Sequence, residues 1–171
     1  DTQWNWDIQD TIRDCVKNTL VQNFDLLEKY PGYKFNFEGA FRYKLAKEYM
    51  SQIGDLQSIS ASLCSSMCVY NPEEESTGAY SLIHDGTHLV DAVEFFLDDV
   101  PLKDPVVTGI WKDENNCVRQ FNAHFSTDKC PDVSVSMSGR SKFFSFEIVI
   151  NGTLGRICLG NGFLKLYKRG E

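Results

Sequence analysis

The sequence predicts an α+β fold: two or three N-terminal helices packed on a curved C-terminal antiparallel sheet of five to six meandering strands. Three observations carry this. Apolar residues recur at three- and four-residue spacing through the first part of the chain, strict alternation replaces that spacing in the last third, and Asn-Gly pairs punctuate the alternating runs. Helices grouped ahead of strands are the pattern of an α+β domain, with the helices segregated onto one face of the sheet.

The first helix has Asp7 as its cap and Ile8, Ile12, Cys15, Val16, Leu20, Phe24 and Leu27 along one face, and Pro31-Gly32 ends it. A second opens near Asn36, with Phe37, Phe41, Leu45, Tyr49 and Ile53 as its apolar stripe. Leu56, Ile59 and Leu63 extend the same spacing beyond Gly54. A third helical face is Leu89, Val93, Phe96, Leu97 and Val100, closed by Pro101 and Pro105.

Strands follow. Val106 to Trp111 comes first. Next, Cys117, Arg119, Phe121, Ala123 and Phe125 share one face, while Val118, Gln120, Asn122 and His124 share the other. Val133, Val135 and Met137 alternate with Ser134, Ser136 and Ser138, and Phe144, Phe146, Ile148 and Ile150 form another alternating set. Asn151-Gly152 and Asn161-Gly162 supply the positive φ of tight hairpin turns. The whole, 1–171, is expected to be a single domain, with 1–100 mainly helical and 105–168 forming the antiparallel sheet. In layout this resembles the cystatin-like and NTF2-like cones, a resemblance that implies a sheet wrapped around a pocket.

The net charge of −7 speaks against nucleic acid, whose phosphates call for Lys and Arg. No apolar run approaches the roughly 18 residues of a membrane span. An even count of six cysteines and the Asn151-Gly152-Thr153 sequon, with Asn151 as the acceptor, point to a secreted glycoprotein. The expected bridges are Cys117 to Cys130, worth about 2–4 kcal/mol, and Cys15 to Cys64 or Cys68, with Cys158 taking the remaining partner.

The candidate chemistry centres on His84-Asp85-Gly86-Thr87-His88, with Asp91 beyond. A continuous helix would place His84 and His88 on one face, able to share a metal. An Asp85-Gly86 hairpin would send them to opposite faces. A helix capped by Asp85 or Thr87 would put His88 in its first turn, near Asp91. No third metal ligand stands at a suitable spacing, no G-x-S-x-G elbow marks a serine nucleophile, and no glycine-rich phosphate loop precedes a helix. His124 with Gln120 and Asn122 forms a polar strand face able to hydrogen-bond a ligand. The sequence therefore predicts a secreted, disulfide-bonded, non-enzymatic protein without cofactor or metal. It would bind a small apolar ligand or a protein partner through His124, Gln120, Asn122, His88 and Asp91. The alternatives are an enzyme using His/Asp acid–base chemistry between helices and sheet, and an extracellular structural or interaction protein presenting Trp4 and Trp6.

Overall fold

The computed structural model describes residues 42–65 and 85–169. The chain divides into two compact units, Asp1–Leu45 and Ala46–Glu171, and every strand described lies in the second. The helix predicted around Ile8 to Leu27 lies outside the described residues. Residues 42–49 are helical (α1) and tighten into a 3-10 turn, Met50–Gln52. Gly54 then turns the chain at φ +76°, a conformation open to glycine and strained for other side chains.

Beyond Gly54 the chain is not helical, contrary to the spacing of Leu56, Ile59 and Leu63. Leu56–Cys64 is a strand, β1. Its buried side chains are Ile59, Ala61 and Leu63, which alternate with Ser58, Ser60 and Ser62. That period of two decides the matter, since it buries one face and leaves the serines on the other. Helix α2, Gly86–Leu97, follows, and Leu89, Ala92, Val93, Phe96 and Leu97 are its buried stripe. The remaining strands are β2 (Lys103–Lys112), β3 (Val118–Ser126), β4 (Val133–Ser138), β5 (Ser145–Gly152), β6 (Gly155–Gly160) and β7 (Phe163–Lys168).

These seven strands form one sheet in the order β2-β3-β4-β1-β5-β6-β7. β1 runs parallel to β4 and antiparallel to β5, and the other neighbours are antiparallel. The expected meander of five to six antiparallel strands beneath two or three helices is thus corrected, and the likeness to cystatin-like and NTF2-like cones falls with it. Local alternation cannot report that a strand from the helical part of the chain enters the middle of the sheet.

Register gathers the core onto one face. Ile59 stands between Val133 and Ile150, Ala61 between Val135 and Ile148, and Leu63 between Met137 and Phe146. Ile157 and Leu159 continue the rows across β6, and all of these side chains are buried. Each aliphatic side chain taken out of water here contributes about 1.5–3 kcal/mol before entropy is counted. Asn161-Gly162 makes the expected turn between β6 and β7, with Gly162 at φ +81°. Asn151-Gly152 instead ends β5, where a Cβ on Gly152 would meet the Ile53 carbonyl oxygen at 2.2 Å.

The end of α2 is held by charge. Lys47 Nζ donates to the carbonyl oxygens of Phe95 (2.7 Å) and Phe96 (2.8 Å) in the last turn of the helix and pairs with Asp98 at 2.7 Å. Lys129, from the β3–β4 connection, pairs with the same carboxylate. Hydrogen bonds from Lys129 and Lys47 hold the Asp98 carboxyl below its ordinary 3.8.

Two outcomes test this architecture. Ile59→Ala should lower unfolding stability by about 2–5 kcal/mol in urea titrations, as an aliphatic deletion in a closed core does. Asp98→Asn keeps a residue type that tolerates φ 56° and should cost about 0.5–1 kcal/mol at neutral pH. A lowered folded pKa stabilises above the ordinary carboxylate range and loses that contribution as pH falls through the folded value. The gap between wild type and variant, measured by denaturant midpoints, should therefore close on acidification.

Candidate functional site

The sheet edge reached by the carboxyl ends of β1 and β4 carries an unusual concentration of buried polar groups. The Ser65 N–H continues the β1–β4 ladder to the Ser138 carbonyl oxygen (2.8 Å), and the Gly139 N–H reaches the Arg119 carbonyl oxygen on β3 (2.7 Å). Ser65, Asp85 and Arg119 are all buried. Arg119 pairs through Nε and Nη2 with Asp113 Oδ2, each at 2.6 Å. Burial by itself would raise the Asp113 carboxyl. The Cys117 N–H, the Arg119 guanidinium and the Asn115 N–H outweigh it, so the group lies below its ordinary range.

Helix α2 begins at this edge. A Cβ on Gly86 would lie 2.8 Å from Met137 Sδ on β4, so a side chain there would displace the Met137 thioether. Asp85 precedes it as the N-cap residue, but its carboxylate makes no cap hydrogen bond to the helix. It accepts a hydrogen bond from the Ser65 hydroxyl at the end of β1 instead. The helix excludes the Asp85-Gly86 hairpin and puts His88 in its first turn, but Asp85 does not cap it through its side chain; the continuous-helix alternative turns on residues 82–84, which lie outside the described residues.

His88 therefore lies in the first turn of α2, exposed, with Asp91 three residues on along the same face. Burial raises the Asp91 carboxyl, opposed by the neighbouring His88. Burial also raises Glu94, reinforced by the charges of Asp91 and Asp99. His84 lies outside the described residues. Among the described residues no group of three His, Cys, Asp or Glu side chains could hold a metal ion.

The other predicted set is elsewhere. Gln120, Asn122 and His124 alternate with the core-facing Phe121, Ala123 and Phe125, so they lie on the sheet face away from α2. There Asn122 Oδ1 accepts from Ser136 Oγ (2.7 Å), and Gln120 Oε1 from Arg140 (3.5 Å). The five predicted ligand-binding residues thus fall into two groups on opposite faces of the sheet. Sequence reasoning missed Ser65 altogether, and it gave Asp85 a turn or cap role. Nothing local relates positions twenty residues apart.

No protein-family model and no curated protein matches the sequence. Solved structures do share the fold. An inositol dehydrogenase homolog from Azotobacter vinelandii, complexed with NAD+, superposes with a TM-score of 0.63 at 11% identity, over 75% of this chain and 39% of its own. The WlbA dehydrogenase from Bordetella pertussis, in complex with NADH and UDP-GlcNAcA, gives 0.62 at 14%, over 76% and 44%. A levoglucosan dehydrogenase, in complex with NADH and levoglucosan, gives 0.59 at 16%, over 77% and 43%. The sheet resembles the C-terminal domain of the Gfo/Idh/MocA oxidoreductases. At these identities the likeness is one of fold, and the chain spans less than half the length of those proteins.

The expected non-enzymatic binder is corrected by this likeness, because the solved structures named here are dehydrogenases. The described cysteines, Cys64, Cys117, Cys130 and Cys158, form no disulfide, and Cys15 and Cys68 lie outside the described residues. Cys117 and Cys130 sit at opposite ends of β3. A strand of that length spans roughly 30 Å, far beyond the roughly 4.4–6.8 Å between the Cα atoms of a bridge. The expected glycan at Asn151 is not supported either. Its Nδ2 donates to Ser58 Oγ (2.9 Å) and its Oδ1 accepts from Arg156 (2.7 Å), which ties the amide into the sheet.

The raised Asp91 carboxyl carries a signed consequence. A carboxylate whose folded pKa is raised stabilises the fold only below its unfolded value and loses that contribution as pH rises. Asp91→Asn should therefore be more stable than wild type at neutral pH and indistinguishable from it in acid. Urea midpoints at the two pH values measure this directly.

Proposed function

We propose that this chain is the sheet domain of an oxidoreductase acting on a hydroxyl group of a polyhydroxylated substrate, with His88 as its acid–base group. The observation that carries this is the position of His88. It is exposed in the first turn of a helix pinned to the sheet, beside Asp91, in a fold shared with dehydrogenases. An imidazole titrates near neutrality and can both accept and return a proton, which is what interconversion of a hydroxyl and a carbonyl requires. The substrate class rests on the inositol and levoglucosan named for two of the solved structures.

The described residues do not fit a nicotinamide dinucleotide. Gly86, which opens α2, is backed by Met137 and leaves no cradle for a phosphate. The glycines of β5 to β7 lie at hairpins with no helix after them among the described residues. In this proposal the hydride acceptor is held by other residues.

The test is turnover by the intact protein, as it occurs in its source, with a nicotinamide dinucleotide and a panel of polyols and sugars. His88→Asn should lower kcat about 10²- to 10⁴-fold with the protein still folded, because the side chain is exposed. A His88→Asn variant with wild-type kcat would remove the histidine from the reaction. Absence of turnover across the whole panel would remove the oxidoreductase assignment.

A further inference from the structure

Resting on the acid–base role proposed for His88, we infer that the buried Ser65–Asp85 pair is a positioning device for that histidine. An aspartate at a helix N-cap ordinarily turns its carboxylate back onto the first-turn N–H groups. Asp85 makes no such cap bond; its backbone lies in the right-handed helical region at φ −77°, ψ −35°. Its carboxylate reaches across to Ser65, which is 1% exposed, while Asp85 itself is 8% exposed. Ser65 is in turn fixed by its own N–H to the Ser138 carbonyl oxygen, so the hydroxyl sits at a point set by the β1–β4 ladder.

The start of α2 is thus held at two adjacent residues by two strands. Asp85 is bonded to the end of β1, and Gly86 lies against Met137 of β4. The hydrogen bond to the end of β1 restrains rotation of the first turn, and the glycine at 86 lets that turn sit against the Met137 side chain of the neighbouring parallel strand. His88 stands three residues beyond Asp85, within the same turn, so rotation of that turn moves the imidazole directly. Buried hydrogen-bonded pairs suit this task, because water does not compete for them and their geometry is correspondingly narrow. Ser65 and Asp85 are positioning residues: the inference places neither of them on the reacting atoms.

The experiment combines Ser65→Ala with His88→Asn in the intact protein, reading kcat, KM and the imidazole resonances of His88 by NMR. Ser65→Ala alone should lower kcat roughly 10- to 100-fold with KM little changed, the size of loss that a misplaced catalytic group gives. It should also shift and broaden the His88 ring signals. Ser65→Thr, which keeps the hydroxyl, should restore both, and Asp85→Asn, which keeps an acceptor oxygen, should retain both. In the His88→Asn background Ser65→Ala should produce no further loss of kcat. An equal loss in both backgrounds, or unchanged His88 resonances in Ser65→Ala, would overturn the positioning role while leaving the histidine's own role intact. A fully active His88→Asn variant is a different result and bears on the acid–base proposal itself. Should Ser65→Ala not fold, Asp85→Ser and Asp85→Asn carry the same NMR comparison. Only the first should disturb His88, and equal spectra for the two would overturn the inference.

Discussion

Everything described in this molecule depends on β1 lying in the middle of the sheet, parallel to β4. A parallel pair cannot be closed by a hairpin; the chain must leave one end of the sheet and return to the other, and the return is ordinarily a helix laid across a face. Helix α2 makes that return. It starts over Met137, near the carboxyl ends of β1 and β4, and ends beside Lys129 in the β3–β4 connection. The central strand also decides which face is dry. Ile59, Ala61 and Leu63 have buried partners on both sides, so the face α2 covers is apolar along the whole width of the middle strands.

That crossing places polar groups where the sheet can order them. At the far end of α2, Lys47 takes the last carbonyl oxygens of the helix and shares Asp98 with Lys129. This end is solvated, and its charges contribute modestly. The near end is held differently, by a buried hydroxyl, a buried carboxylate and a close glycine contact. The asymmetry has a physical sense. Exposed ion pairs tolerate small movements, whereas a desolvated hydrogen bond is costly to stretch. The end with the stricter geometry is the one that carries the exposed histidine.

Much of the sheet was legible in the sequence and its centre was not. The strand expected at Val106 to Trp111 is β2, and the alternating sets at Arg119 to Phe125 and Val133 to Met137 are β3 and β4. β1 escaped because Leu56, Ile59 and Leu63 satisfy helical spacing while Ile59, Ala61 and Leu63 satisfy strand spacing, and one short run can do both. Its serines were the better guide: Ser58, Ser60 and Ser62 repeat the pattern of Ser134, Ser136 and Ser138 on the strand it pairs with. Asp85-Gly86 misled for the opposite reason. A strong turn signal was overridden by the longer stripe of Leu89, Val93, Phe96 and Leu97, which buries far more apolar surface than a hairpin there would. His88 and Asp91 could be paired from spacing. Ser65 could not be joined to Asp85, because that contact exists only once β1 and α2 are both in place.

The placement of the polar groups also separates the two candidate sites by what they can do. Gln120, Asn122 and His124 lie on the sheet face that α2 leaves uncovered, and their neighbours there are Ser134, Ser136 and Arg140. The Asn122–Ser136 bond joins β3 to β4 and the Gln120–Arg140 bond ties β3 to the segment after β4, and His124 stands exposed beside them. His88 is exposed as well, but it lies in the helix turn that follows the buried Ser65–Asp85 pair, beside a carboxylate whose proton affinity burial has raised. Exposure alone gives a histidine contact with substrate. Exposure on a turn restrained by its bond to the end of β1 gives it a fixed direction, which acid–base chemistry requires and a solvated strand face does not supply.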